Sequence, residues 1–308
     1  MPKLSYIIPC YHNGQNLPIT TPLLIANEAL FPNDFTFEYV LIDDGSKDTT
    51  WEAIQLFYTQ YPAKVKAIKL VRNVGATNAI LAGMHYATGD CNVILAADLQ
   101  DPPELIPKMT EYWLKGLKLV VANRQDREEG VLQKLFSNTF HTLMKQYALP
   151  QLPDGGYDLV VFDQQLRQQV VAMNEKNTHT SYLFSWLGYD YVAIPYTRRK
   201  REIGKSTWTL QKKVKFFIDS FVAFSFAPVR AISIMGLLLG LCALLYAFLV
   251  VLGKLTGSIQ VEGWSSLMVV LLFVSAFQMI ALGVIGEYVW RGLDATRNRP
   301  NFVVETVL

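Results

Sequence analysis

Short apolar runs alternate with helix-patterned stretches through the N-terminal part of the chain. LSYIIPC, FEYVLIDDGS, VKAIKLVRN and CNVILAAD read as strands, and LPITTPLLIANEAL, TTWEAIQLFYTQY and GATNAILAGMHYATG read as the helices between them. Strands that alternate with helices predict a doubly wound, mainly parallel sheet. The stretch VILAADLQDPPE, residues 93–104, shows how such a strand ends. Its prolines cannot continue a sheet ladder, so the chain must turn. Asp98, Gln100, Asp101 and Glu104 are therefore expected at the carboxyl lip of the sheet, where ligands of open α/β sheets bind.

Further along, the pattern changes period. In GVLQKLFSNTFHTLMKQYAL, Leu132, Leu135, Phe136, Phe140, Leu143, Met144 and Tyr147 recur at helical spacing; in LQKKVKFFIDSFVAFSF, lysines precede an aromatic stripe. Both suit helices lying in a lipid headgroup plane or packing on the soluble core, and the second leads directly into an apolar run. Ala231–Gly253 has no charge, and at 1.5 Å per residue it spans roughly 34 Å, enough for a hydrocarbon core of about 30 Å. Trp264–Ile285 is a second such run. Basic residues crowd the chain before the first run and follow the second, whereas the connecting loop holds only Lys254. By the positive-inside rule both flanks face the cytoplasm.

Composition adds limits. The chain has 308 residues, a formal net charge of +2 and an apolar fraction of 51 %. The near-neutral balance argues against a nucleic-acid partner. No basic segment followed by a long apolar run opens the sequence, so no signal peptide is expected. Cys10, Cys91 and Cys242 are scattered, without metal-site or disulfide spacing, and the four histidines form no ligand pair.

Candidate chemistry gathers at strand ends: Pro9 and Tyr11 after the first strand, Asp43, Asp44, Gly45, Ser46 and Asp48 after the second, and Asp98, Gln100 and Asp101 after the fourth. A turn and helix cap explains Ser46 or Asp48 but not two acids on the strand before them. No glycine-rich dinucleotide or P-loop motif is present. Oxygen ligands at a strand end suit Mg²⁺ or Mn²⁺, which can neutralise a diphosphate leaving group. The basic segment RRKREIGKS, Arg198–Ser206, could serve membrane orientation alone, but that rule counts lysine and arginine alike, and arginine grips phosphate bidentately.

PCYHNGQNL, IDDGSKDTT, RNVGATNAILAG, ATGD, ADLQDPPE, GGYD and RRKREIGKS occur in the order seen in glycosyltransferase family 2. With the FSFAPVR junction, two apolar runs and the GEYVWR…RNRP tail, nearly the whole chain resembles the polyprenyl-phosphate glycosyltransferases, such as bactoprenol glucosyltransferases; over the catalytic domain it is also similar to the dolichyl-phosphate mannose synthases. The resemblance implies a GT-A catalytic domain over residues 1–209, with residues 130–149 as a candidate interfacial helix. An interfacial helix over 210–229, a two-helix transmembrane region over 230–290 and a cytoplasmic tail over 291–308 would follow. It implies a multi-pass protein of the inner (plasma) membrane that moves one sugar, with inversion, from a nucleotide sugar to a polyprenyl phosphate such as undecaprenyl phosphate. UDP-glucose is the favoured donor, and a homo-oligomer is left open.

By that resemblance Pro9, Tyr11, Asn13, Asp43, Asp44, Arg72 and Asp98 would bind the nucleotide sugar, and Asp98 and Gln100 the metal. Arg198, Arg201, Lys205 and Ser206 would hold the lipid phosphate; Asp98, Asp158, Arg198 and Arg201 would be catalytic. Asp158 matches the family's aspartate near the reacting centre if one residue is inserted after the glycine pair. Three positions depart from the pattern. Ala96 replaces the first metal-motif aspartate, Asn13 a glutamate, and Thr207–Trp208 the usual Lys-Tyr. Two rivals remain at this level. A processive polysaccharide synthase would need more spans and a Gln-x-x-Arg-Trp motif, and a non-catalytic nucleotide-sugar-binding scaffold has Ala96 as its support.

Overall fold

The computed structural model describes residues 1–124, 131–173, 175, 178–199, 210–256 and 263–308; for 131–138, 210–215, 254, 264 and 265 it describes the backbone. Of the candidate residues named above, Arg201, Lys205 and Ser206 lie outside it, as do Thr207 and Trp208.

The chain divides into two compact units. Unit 1 comprises Met1–Ala223 and Pro300–Leu308. Its first strands, β1 (Lys3–Cys10), β2 (Thr36–Asp43), β3 (Val65–Leu70) and β4 (Cys91–Ile94), alternate with α1 (Leu17–Asn27), α2 (Thr50–Gln60) and α3 (Ala76–Tyr86), as the hydrophobic pattern predicts. Next come α4 (Ile106–Leu114), β5 (Leu119–Arg124), α5 (Val131–Tyr147), β6 (Val160–Asp163), α6 (Gln164–Met173), α7 (Thr180–Leu187), β7 (Tyr191–Tyr196) and α8 (Leu210–Phe224). Together with β8 (Val304–Val307) they form one sheet in the order β7-β5-β6-β4-β1-β2-β3-β8. Pairing is parallel except where β6 meets β4 and β5 and where β8 meets β3.

Both sheet faces are covered. Leu4, Tyr6 and Ile8 of β1 join Leu17, Leu24, Tyr39, Leu41, Ile54 and Phe57 in one buried cluster, where the Tyr6 and Tyr39 rings stack 5.0 Å apart. Residues one position out of phase, Ile7 and Ile42, face α3 on the other side. That helix crosses so closely that a Cβ at Gly83 would lie 2.6 Å from both isoleucine side chains, so a larger residue would have to displace them. Burying each aliphatic side chain contributes roughly 1.5–3 kcal/mol before chain entropy is counted.

An aromatic seam fastens α8 to this unit. Phe216 meets His179, Tyr182 and Phe140 with ring centroids 5.8, 5.9 and 6.1 Å away. On α5, Phe140 and Met144 are buried while Tyr147 is exposed, so the described part of that helix packs one face on the core.

Unit 2, Phe224–Arg299, holds α9 (Ala227–Leu255) and α10 (Trp264–Thr296). Both are long and apolar enough to cross a membrane, and their most apolar windows are 0 % buried within the protein. Exposed apolar surface on that scale is foreign to a water-facing helix. At the junction, Ser225 accepts from the Ala227 amide at 3.1 Å, and the Tyr288 hydroxyl donates to the Ser225 carbonyl at 2.6 Å.

The sequence pattern does not announce β8. The chain returns from α10 to unit 1 and lies antiparallel along β3. Ala67 and Leu308 exchange backbone hydrogen bonds at 3.0 and 2.9 Å, and Lys69 pairs with Glu305 at 3.1 Å.

Candidate active site

Because β1 to β5 and β7 run the same way, their carboxyl ends share one lip. β6 runs the opposite way, so its beginning, not its end, reaches that lip. Across the lip the strand order sets the residues out: Tyr196 ending β7 with Arg198 after it, Arg124 ending β5, and Asp158 before β6. Asp98–Asp101 follow β4, then Pro9–Asn13 at β1, Asp43–Asp44 at β2 and Arg72 after β3.

The β1–β3 side is a set of interlocked turns. Asn13 accepts from the Tyr11 amide at 2.8 Å and donates to Asn16 at 3.3 Å, and His12 adopts a φ of 55° between them. Tyr11 stays exposed, with its ring 4.3 Å from that of His12. Asp43 is fully buried; one carboxylate oxygen accepts from the Ser46 amide at 3.0 Å, and the other has no hydrogen-bond partner among the described residues. Asp44 is also buried, but both its oxygens are engaged, by the Val74 amide at 2.7 Å and the Gly75 amide at 3.0 Å. Burial raises its pKa to about 6 even though these bonds, at the start of α3, oppose the rise. Asp44 thus fastens the loop carrying Arg72 to the end of β2. Gly45 completes the fastening: its φ is +64°, and a Cβ there would lie 2.6 Å from the backbone of Arg72 and Asn73. Arg72 itself is exposed.

At the centre, the fourth strand is released into a tight turn. The Leu95 amide still reaches the Ile7 carbonyl at 3.1 Å, and Thr20 anchors the Ala97 carbonyl at 2.7 Å. Leu99 then takes a φ of 52°, a left-handed conformation costly for a residue with a Cβ and found at functional sites. Asp98 accepts from the Gln100 amide at 3.3 Å. Asp98 and Gln100 are hard oxygen donors, partly buried at the lip. Among the described residues no group of three His, Cys, Asp or Glu side chains could enclose an ion. The donor set therefore fits a cation that also takes oxygens from its ligand, the usual manner of Mg²⁺.

On the β5–β7 side lies a ring of charges. Asp101 is buried; it accepts from the Tyr196 hydroxyl and lies 3.4 Å from Arg198 Nε. Arg198 reaches Asp158 at 3.5 Å, and Asp158 is paired closely with Arg124. Burial, together with the adjacent Asp101 carboxylate, pushes the Tyr196 hydroxyl up to about 12, so it remains a donor at neutral pH. The neighbouring Arg199 amide donates to the Gln100 carbonyl at 2.9 Å, which joins the basic segment to the oxygen-donor turn. The GGYD loop presents Asp158 through Gly155 and Gly156, both at positive φ (78° and 67°), and through Tyr157, whose hydroxyl donates to the Ser181 carbonyl at 2.9 Å. The structure thus brings Asp98, Gln100, Asp158 and Arg198 to one part of the lip, while Arg72 lies beyond β1 and β2. Arg124, Asp101 and Tyr196 were not singled out as ligands from the sequence. The usable signal for Arg124 was the same as for the acids: VVAN is an apolar strand that stops on a charge.

Residues 5–168 match the model of glycosyl transferase family 2. The chain belongs to glycosyl transferase family 2. It is a glycosyltransferase with a GT-A-like sheet. It is 32 % identical over 303 residues to an uncharacterized glycosyltransferase of Synechocystis, covering 98 % of this chain and 94 % of the relative. It is 30 % identical over 306 residues to a prophage bactoprenol glucosyl transferase homolog of Escherichia coli, covering 99 % of each. A mannosyltransferase from Pyrobaculum calidifontis, solved with GDP-Man and Mn²⁺, shares the fold with a TM-score of 0.51 at 16 % identity, over 94 % of this chain and 87 % of that one.

Proposed function

We propose that this glycosyltransferase moves one sugar, with UDP-glucose the favoured donor, onto a polyprenyl phosphate such as undecaprenyl phosphate at the cytoplasmic membrane face. The observation that carries the reading is the juxtaposition of two arginines, Arg124 and Arg198, with the Asp98–Gln100 turn on one sheet lip. Phosphate is the anion that arginine forks recognise best. Relatives aligned over nearly the full chain carry bactoprenol and glucosyl transfer in their names.

In this reading the donor nucleotide lies over β1 and β2, where Asp43 offers its second carboxylate oxygen. Asp98 and Gln100 would hold Mg²⁺ or Mn²⁺, whose chemistry when bound is to neutralise the diphosphate. Arg124 and Arg198 orient the acceptor phosphate. A phosphate monoester has its second pKa near 6 and is mostly dianionic at neutral pH, so its oxygen needs no strong general base. That oxygen forms the new bond to the anomeric carbon as the bond to the diphosphate breaks, inverting the configuration; the nucleoside diphosphate leaves with the electron pair. Asp158 orients the acceptor side. Leu99, held in its strained turn, keeps Asp98 and Gln100 in register for the donor.

Membrane placement follows from the same features. β8 pairs with β3 in unit 1, so the chain departs into α9 and returns from α10 on one side. With basic residues flanking both runs, that side is the cytoplasmic one. The test is transfer by the membrane-embedded full chain from a panel of nucleotide sugars to undecaprenyl phosphate. Formation of a lipid-linked monosaccharide with one donor is expected; release of nucleotide that does not depend on the lipid phosphate would overturn the acceptor assignment.

A further inference from the structure

Arg124 and Arg198 converge on one anion in the structure, and that anion belongs to the chain itself. The Asp158 carboxylate is paired with both guanidiniums through the same oxygen, Oδ2. The two arginines are only 17 % and 27 % exposed, whereas the Asp158 side chain is 43 % exposed. Arg198 Nε faces the buried Asp101 at 3.4 Å, so a different nitrogen, an Nη, is the one that reaches Asp158. The cations are thus held in the wall of the site, while the carboxylate between them is open to solvent.

The two ends of the ring differ in kind. Asp101 is 1 % exposed and also accepts from Tyr196, so it stays with Arg198 as a fixed counter-ion. Asp158 follows two glycines at positive φ and stands before β6, and its ion pairs are partly exposed, the class worth little individually. We propose that Asp158 is a stand-in for the acceptor phosphate. It occupies the arginine pair in the absence of lipid, and an incoming phosphate dianion displaces it. The phosphate brings more charge and more oxygens than one carboxylate, so it wins both arginines. Once displaced, the carboxylate lies beside the bound phosphate, where it repels and orients the attacking oxygen. Asp158 therefore weakens acceptor binding and aids transfer, which is the opposite of a residue that simply grips its substrate. This rests on the reading of the acceptor as a phosphate.

The signature is a binding change and a rate change of opposite sign. Detergent-solubilised full chain would be titrated with inorganic phosphate and, separately, with a short-chain polyprenyl monophosphate, by calorimetry. Asp158→Asn, with Asp158→Ala as a second variant, should bind both probes roughly three- to thirtyfold more tightly than wild type, the range expected on removing two partly exposed ion pairs. Both should transfer sugar more slowly. Arg198→Gln should weaken binding, and adding Asp158→Asn to it should recover less than Asp158→Asn gains alone. Glu104→Gln removes the same charge from the exposed Arg199 pair nearby and controls for a general field effect. Unchanged or weaker phosphate binding in both Asp158 variants would overturn the stand-in role, as would equal tightening in Glu104→Gln. If wild type transfers sugar but neither Arg198→Gln nor the Asp158 variants alter binding of either probe, the phosphate reading of the arginine pair falls as well. Tightening for inorganic phosphate alone would assign the site to an anion other than the lipid headgroup and overturn the proposal.

Discussion

Replacing Arg198 by lysine separates phosphate chemistry from membrane charge, and its cost can be worked from the geometry. Arg198 uses different nitrogens toward Asp101, at 3.4 Å, and Asp158, at 3.5 Å. A lysine has one compact ammonium, which keeps the charge but cannot span both positions or offer a planar fork to a phosphate. Losing one charge-assisted hydrogen bond in a mostly buried setting costs roughly 1.5–3 kcal/mol, about ten- to a hundredfold in kcat/KM for the acceptor. Arg199 supplies the contrast. Its side chain is half exposed and pairs with an equally exposed Glu104 at 3.1 Å, while its link to Gln100 runs through the backbone and survives any substitution that keeps the fold. Such an exposed pair is worth about 0–1 kcal/mol, so Arg199→Lys should stay within about fivefold of wild type. The positive-inside rule counts both residues alike, so neither change should alter topology. The assay is initial transfer rate to undecaprenyl phosphate, per unit of membrane-inserted protein, with acceptor concentration varied. Equal effects of the two substitutions, or an Arg198→Lys enzyme within twofold of wild type, would refute the reasoning.

Asp98→Asn should lower turnover by at least about tenfold and weaken Mn²⁺ binding in the presence of nucleoside diphosphate, because a charged oxygen ligand is lost; calorimetry checks the second point without activity. Glu38 is a stability site: burial alone would raise its pKa, but bonds from Ser5, Lys66, Thr88 and Lys3 bring it down to about 2. Against an ordinary 4.5, that is worth about 3 kcal/mol of stability, present above pH 4.5 and lost as pH falls toward 2; in Glu38→Gln this acid-induced loss should be largely absent and the melting temperature at pH 7 lower. Gly45→Ala should push Arg72 and Asn73 away from β2 and raise the KM for the nucleotide sugar more than that for the lipid, read from paired kinetics. A reporter fused after Leu308 should face the cytoplasm and one inserted at Ser258 the opposite side; both on one side would mean that one of the two helices does not span, and the reverse pattern would overturn the orientation.

The N-terminal half of the fold is legible because its information is local. Each strand from β1 to β4 is an apolar run that gives way to polar or turn-forming residues, and each helix between them carries its own period. The β6 strand is different. Nothing within VVFD states that it lies antiparallel between β4 and β5, because that pairing depends on residues far away in sequence. The reversal is nevertheless what delivers Asp158 to the lip, so the sequence offers the residue without its place. Asp44 shows the converse: its motif was visible, but its engagement by the Val74 and Gly75 amides depends on a loop some thirty residues on. Arg124 ends an apolar strand on a charge, but its partners Asp158 and Tyr196 come from distant parts of the chain, so its role is visible only in the fold. Arg201, Lys205 and Ser206 keep the standing the sequence lends them, since they lie outside the described residues.

The position of β8 has a consequence for how the protein is made. Its residues are translated after both apolar helices, yet they close the sheet that carries the active site. Until then β3 presents an open edge, the kind of surface that recruits stray strands. A ribosome that has finished the catalytic residues has therefore not finished their sheet; on the proposed topology, completion waits until both apolar helices have entered the bilayer and the following segment has come back to the side of unit 1. On that topology, capping of the sheet follows membrane delivery, and a four-residue strand is enough to achieve it.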